Sequence, residues 1–96
     1  MGAGTTDEQR ASLEIKNRLG LHARAAVLLV KTAEKFEAEI SIAKDGQVVN
    51  GRSIMGVMML AAEKGSTIEV TARGPQAREA LGAIRDLVDA RFNEDS

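Results

Sequence analysis

The fold of this 96-residue chain is decided by the stretch AEISIAKDGQVVNGRS, residues 38–53, which has the pattern of a β hairpin. Ile40 and Ile42 alternate with small residues, as the two faces of a strand require. The Asp-Gly pair at 45–46 favours a two-residue turn, from which residues 47–50 return as a second strand. Strands that are half polar predict a sheet with one face in water and the other face covered.

The same alternation predicts a strand on each side of the hairpin. The sequence SLEIKN at residues 12–17 is the first strand, and TIEVTARG at residues 67–74 contains the last. Residues 1–11 are small and polar and are expected to form a flexible tail. Residues 12–96 are therefore predicted to form a single domain.

Apolar residues at helical spacing predict three helices that cover the buried face of the sheet. The first runs from Ala23 to about Phe36, and the second lies within residues 53–65, closed by a Lys-Gly pair. The third opens with Pro75 at its first helical position. The last two helices are predicted to turn these side chains toward the core: Val57, Leu60, Ala61, Ala77, Leu81, Ile84 and Val88. The element order is β-α-β-β-α-β-α, and the predicted fold class is α+β in two layers.

The composition excludes several classes of function. The net charge of −1 and the presence of only two aromatic residues argue against a nucleic-acid-binding protein. The chain has one histidine and no cysteine, so we expect no disulfide, no metal site and no cofactor. No apolar run is long enough for membrane insertion, and the first residues lack the pattern of a secretory signal, so a cytoplasmic protein is expected.

The single histidine, His22, lies in NRLGLHARAA, residues 17–26, at the predicted start of the first helix. The free amides of a first helical turn and the helix dipole favour an anion at this position. A neutral imidazole is a nucleophile toward a phosphoryl donor, and Arg24 adds a guanidinium suited to phosphate oxygens. The pair fits a phosphoryl acceptor, although on the residues alone a surface histidine without a function is the commoner case.

A second candidate site begins at Ser53, the expected N-cap of the short helix. The apolar side chains predicted to lie outside the core on the first two helices are Val27, Leu28, Ile54, Met55, Met58 and Met59. Exposed methionines form adaptable docking surfaces, whereas buried methionines fill gaps in a core, and both alternatives stay open here. Two exposed apolar clusters near one histidine favour a partner-binding face.

The sequences GLHARAA, residues 20–26, and GRSIMGVMML, residues 51–60, together resemble the HPr family of histidine-containing phosphocarriers in the bacterial phosphoenolpyruvate-dependent phosphotransferase system. The likeness extends from about Leu13 to about Phe92. It implies an open-faced β-sandwich, in which a four-stranded antiparallel sheet carries three helices on one face. It also implies a phosphocarrier that is not itself an enzyme.

The resemblance assigns roles to individual residues. His22 matches the histidine that enzyme I phosphorylates and enzyme IIA domains dephosphorylate, and Arg24 matches the arginine beside it. Ser53 matches the serine that HPr kinase/phosphorylase modifies, and a transcriptional regulator is a further candidate partner. The predicted partner interface consists of Leu21, Ala25, Val27, Leu28, Ile54, Met55 and Met58. The chain is expected to be a monomer.

Two residues depart from the family's pattern: Ala25 stands where the family usually has proline, and Met59 stands where a small polar residue is common. Alanine is a good helix former and keeps its N–H, so we expect the helix to persist. Two alternatives to the carrier stay open. One is a regulatory member of the family that is read mainly through phosphorylated Ser53. The other is a small-molecule-binding or RNA-binding domain in which His22 and Ser53 are only helix caps.

Overall fold

The computed structural model describes residues 8–95. The strands are β1 (Glu8–Glu14), β2 (Glu39–Lys44), β3 (Gln47–Asn50) and β4 (Thr67–Arg73). The helices are α1 (Ala23–Ala33), α2 (Ile54–Met59) and α3 (Ala77–Asp89), and a short 3-10 turn, η1 (Arg91–Asn93), follows them. The predicted order β-α-β-β-α-β-α and the α+β class are confirmed. No helix within this range is long and apolar enough to cross a bilayer.

The four strands form one antiparallel sheet in the order β1-β4-β2-β3. The predicted hairpin is β2 and β3, and its turn residues Asp45 and Gly46 both have positive φ, 51° and 84°. Such a turn matches the twist of the flanking strands. Ile42 lies opposite Val49 on one side and Val70 on the other. The hairpin is therefore joined to the rest of the sheet through its apolar positions.

The core lies between the sheet and the helices. The largest side chains with less than 2% exposure are Ile15, Leu29, Ile42, Val57, Ile68, Val70, Ile84, Val88 and Phe92. The helix α3 packs on β1 and β4, and α1 packs against both α2 and α3. All the predicted core positions of α3 are buried, which confirms the helical pattern there.

The sequence analysis was wrong about the end of α2. The helix stops at Met59 and does not continue to the Lys-Gly pair at 64–65. The reason is Ala61, which has a φ of 50° and cannot continue a right-handed helix. Ala61 is consequently exposed, contrary to the prediction, and Ala62 takes the buried position.

Other boundaries also differ, among them the end of β1, which stops at Glu14 and not at the predicted Asn17. The strand β1 starts at Glu8, because residues 8–11 pair with residues 70–73 of β4, so they belong to the sheet and not to a tail. Residues 1–7 of the predicted tail lie outside the described residues. The helix α1 ends at Ala33, before the predicted Phe36. Pro75 precedes α3, whose N-cap is Gln76.

Candidate functional site

The predicted position of His22 at the entrance of α1 is confirmed, because His22 is the N-cap of that helix. Its backbone is extended, with φ −73° and ψ −179°, and its carbonyl accepts the hydrogen bond of the Ala26 amide at 2.9 Å. The ring atom Nδ1 accepts a hydrogen bond from the Arg24 amide at 3.3 Å. The imidazole thus occupies the place of a capping side chain, with Nδ1 facing the first turn of the helix.

The other ring nitrogen faces the C-terminal segment. Nε2 of His22 is hydrogen-bonded to Oε2 of Glu94, a residue to which the sequence analysis gave no role. The side chains are largely buried, with 25% of His22 and 12% of Glu94 exposed. Because Nδ1 accepts a hydrogen bond and Nε2 meets a carboxylate, both contacts fit a neutral ring that carries its proton on Nε2.

Asn17 links Glu94 to the loop before the helix. Its side-chain amide donates to the Gly20 carbonyl at 2.8 Å and to Oε1 of Glu94 at 3.1 Å, and the residue is fully buried. Burial raises the pKa of Glu94, but the hydrogen bonds from His22 and Asn17 and the nearby positive charge of Arg24 outweigh it. The result is a pKa for Glu94 below its ordinary value, so the group is a carboxylate at neutral pH.

A left-handed turn brings Glu94 to the histidine. Arg91, Phe92 and Asn93 have φ values of 57°, 53° and 62°, a conformation that residues other than glycine rarely adopt. Phe92 anchors the turn in the core with 1% of its surface exposed. Of the three residues only Asn93 is of a type that favours left-handed backbone, so sequence reasoning had no signal for a turn beginning at Arg91 and none for Glu94.

A shallow cleft of about 470 Å³ opens beside His22. It is lined by Arg18, Leu19, His22, Ala23, Arg24, Glu94 and Asp95. Arg24 is exposed, as predicted, and its guanidinium makes no ion pair with any residue from 8 to 95. Leu19 is 66% exposed and forms an apolar rim that the sequence analysis did not identify. In the same range no three metal-binding side chains are grouped.

Ser53 caps α2, as the sequence predicts. Its Oγ accepts a hydrogen bond from the Gly56 amide at 3.0 Å, and its carbonyl accepts one from the Val57 amide at 2.9 Å. The residue is half-buried. Since α1 and α2 pack against each other, Ser53 and His22 begin two neighbouring helices of the same layer.

The exposed apolar surface of α2 consists of Ile54, Met55, Met58 and Met59, and we call it the methionine surface. The exposed fractions of these residues are 39%, 68%, 37% and 64% respectively. The outward orientation of the methionines is therefore confirmed, and the alternative that they fill the core is wrong.

The predicted partner interface needs a correction on the side of α1. Leu21 and Ala25 are only 4% and 0% exposed, so their side chains belong to the core and cannot contact a partner. Val27 and Leu28 are half-buried, and they form the part of α1 that reaches the surface. The accessible part of the predicted interface is thus smaller than the sequence analysis indicates.

Comparison with known proteins gives consistent results. Residues 9–90 match the family model PTS-HPr, described as the PTS HPr component phosphorylation site. The chain is 47% identical to the phosphocarrier protein HPr of Neisseria meningitidis, over 88% of this chain and 96% of that protein.

Solved structures agree with the sequence relatives. The crystal structure of HPr from Thermoanaerobacter tengcongensis is similar with a TM-score of 0.88 and 42% identity, over 92% of this chain and 99% of that one. The solution structure of Crh, the catabolite repression HPr of Bacillus subtilis, is similar with a TM-score of 0.67 and 35% identity, over 85% and 95% of the two chains.

Proposed function

The chain belongs to the HPr family of the phosphotransferase system, and we propose that it carries a phosphoryl group on Nδ1 of His22 between enzyme I and enzyme IIA domains. The observation that carries this proposal is the orientation of the ring. Nδ1 accepts the Arg24 amide hydrogen bond at 3.3 Å, so its lone pair points to the N-terminus of α1. The protein is a phosphocarrier and not an enzyme in its own right.

The proposed transfer is a nucleophilic displacement at phosphorus. The Arg24 amide releases Nδ1 of His22, whose lone pair forms a bond to phosphorus while the bond from phosphorus to the donor group of enzyme I breaks, and the donor keeps that electron pair. The new phosphoryl oxygens then lie beside the first-turn amides of α1, whose N–H groups and dipole stabilise an anion. Arg24, with its unpaired guanidinium, supplies a further charge-assisted hydrogen bond.

We assign partner docking to the methionine surface together with Val27 and Leu28. These side chains are exposed or half-buried, and they belong to the two helices whose N-termini hold His22 and Ser53. An adaptable apolar surface suits a carrier that must bind a donor and several acceptors in turn. Enzyme I and the enzyme IIA domains would then compete for one face of the protein.

We further propose that Ser53 is a regulatory phosphorylation site for an HPr kinase/phosphorylase. A phosphate there carries about −1.5 to −2 charges at neutral pH. It would lie at the edge of the methionine surface, since Ile54 and Met55 follow Ser53 directly. Docking of enzyme I is expected to weaken, whereas a transcriptional regulator that presents arginines would gain a contact.

The second candidate function is a regulatory role that is read mainly through phosphorylated Ser53. It is favoured by the similarity to Crh, whose name connects it with catabolite repression. In this alternative the phosphorylated serine is the state that partners recognise, and transfer through His22 does not contribute to sugar transport.

Labelling distinguishes the two functions. The protein is incubated with enzyme I and labelled phosphoenolpyruvate, or with ATP and HPr kinase, and the variants His22→Ala and Ser53→Ala are tested in parallel. The carrier predicts acid-labile label from phosphoenolpyruvate that is absent in His22→Ala and unchanged in Ser53→Ala. Label that persists in His22→Ala contradicts the assignment, and label obtained only from ATP and the kinase favours the regulatory role.

A further inference from the structure

The C-terminal segment contributes a group to the site that the family match does not include. The match to the family ends at residue 90, and Glu94 lies beyond it. Its carboxylate nevertheless contacts the ring of His22, from which it is separated by 72 positions in the sequence. The carboxylate is one of the few polar groups in direct contact with the proposed phosphoryl acceptor.

We propose that Glu94 is a positioning residue for phosphoryl transfer: it holds the proton of His22 on Nε2 and so keeps Nδ1 unprotonated, with a lone pair that can attack phosphorus. The inference rests on the proposed function of His22. Each ring nitrogen has a complementary hydrogen-bond partner: the Arg24 amide is a donor facing Nδ1, and the Glu94 carboxylate is an acceptor facing Nε2. Either contact alone favours the same tautomer, and together they also fix the rotation of the ring.

The carboxylate also acts on the charge that develops during transfer. When the neutral ring attacks phosphorus, Nδ1 gains the new bond, Nε2 keeps its proton, and the ring becomes cationic. No proton is released, and the bond to the donor group breaks with its electron pair. Glu94 accepts the hydrogen bond from Nε2 throughout, so it stabilises this cation as the carboxylate of a Ser-His-Asp triad stabilises its imidazolium.

The structure holds Glu94 in place at a cost. Three consecutive non-glycine residues, Arg91 to Asn93, have left-handed backbone, a conformation that is strained for Arg91 and Phe92 and better tolerated by asparagine. Strained backbone persists where the surrounding structure fixes it, and it clusters at functional sites. Here the buried Phe92 ring fixes the turn, and Asn17 fixes the Glu94 carboxylate.

The other charges around the cleft do not replace Glu94. Arg18 and Arg24 are cationic and Asp95 is exposed, and Glu94 is the carboxylate in contact with the ring within residues 8–95. Its depressed pKa keeps it ionised at neutral pH, as the role requires. The expected loss on its removal is about tenfold in transfer rate, at the lower end of the range for groups that orient a functional histidine.

The test compares Glu94→Ala and Glu94→Gln with the matched variants Glu79→Ala and Glu79→Gln in the full-length protein. Glu79 is an exposed carboxylate of α3 with the same charge and no hydrogen-bond role at His22. We expect Glu94→Ala to slow labelling by enzyme I about tenfold. Glu94→Gln should be slowed less, because its amide oxygen still accepts from Nε2, and both Glu79 variants should match the parent.

A spectroscopic readout separates positioning from a merely structural role. The ¹⁵N chemical shifts of the His22 ring, measured where the ring is neutral, should report the Nε2–H tautomer in the parent and a smaller share of that tautomer in Glu94→Ala, where only the Arg24 amide still favours it. Melting curves identify any variant that fails to fold. If Glu94→Ala does not fold, the ring shifts and the transfer rate of Glu94→Gln are compared with those of the parent. Unchanged ring shifts together with an unchanged transfer rate in the folded variants would overturn the inference.

The same measurements distinguish this inference from the proposed function. If the parent accepts no label from enzyme I, the carrier assignment fails, but the ring shifts still report whether Glu94 controls the tautomer. If His22 is labelled at the same rate with and without Glu94, the carrier assignment stands and the positioning role is wrong.

Discussion

Replacing Gly20 by alanine should disturb the loop that delivers His22 to its helix. Gly20 has a φ of 69°, and a Cβ added there would lie 2.4 Å from the Ala62 carbonyl oxygen. The positive φ costs an alanine about 1–2 kcal/mol. The backbone shift that the clash requires destabilises the folded protein by about 1–3 kcal/mol more, the usual range for overpacking. Because each kcal/mol corresponds to about 4–8 °C in a domain of this size, thermal denaturation should show a drop in Tm of about 10 °C or more.

Gly46→Ala is the matched control, because Gly46 has a φ of 84° but an added Cβ would have no neighbouring atom within 4 Å. It should show only the conformational cost, about 1–2 kcal/mol, and keep the parent's rate of His22 phosphorylation. Gly20→Ala should lose more stability and also transfer more slowly, since the Gly20 carbonyl accepts from Asn17, which in turn binds Glu94. Equal melting temperatures for the two variants would refute the reasoning from the Ala62 contact.

Four further outcomes are expected. Met55→Glu should slow labelling by enzyme I. Because the side chain is 68% exposed, the free energy of unfolding should change by no more than about 0.5 kcal/mol, and a large loss of Tm would contradict its surface position. Arg24→Ala should slow the labelling of His22 without abolishing it, since the helix amides remain, and an unchanged rate would show that the guanidinium has no role. Ser53→Asp should slow the labelling of His22 by enzyme I, while its circular dichroism spectrum and Tm stay close to those of the parent. Equal labelling rates in the variant and the parent would leave Ser53 with no role beyond capping the helix. Folding lowers the pKa of Glu94 below 4.5, so its contribution to stability is fully present above that pH and is lost as the pH falls through the folded-state pKa. Urea denaturation of the parent and Glu94→Gln should therefore converge at acid pH, and a constant difference between them would contradict this.

The hairpin could be predicted because its determinants are local. Asp45 and Gly46 adopt the positive φ values that their residue types favour, and the alternation of Ile40 and Ile42 needs no distant partner to be recognised. His22 and Ser53 could be placed at helix entrances for the same reason, since a cap depends on the few residues that follow it.

The end of α2 could not be predicted, because a distant contact decides it. Gly65 looks like a helix stop, but the chain leaves the helix at Ala61, a residue type without a preference for left-handed backbone. The Leu21 amide donates to the Ala62 carbonyl at 2.9 Å, so the loop before α1 fixes the chain after α2. Leu21 lies on this loop with its side chain only 4% exposed, so it is wrong as an interface residue.

Glu94 is the strongest case of a site residue without a sequence signal. A charged residue near a C-terminus is ordinarily exposed, and only the packing of Phe92 and the bond from Asn17 turn this one inward. The histidine lies within the residues that match the family model, whereas its carboxylate partner lies after that match ends. Under the proposed roles, the positioning carboxylate and the docking residues lie on different elements, because Glu94 follows η1 whereas the docking residues belong to α1 and α2. If both proposals hold, substitution of Glu94 is expected to change the rate of transfer through His22 while leaving partner docking on α1 and α2 unaltered.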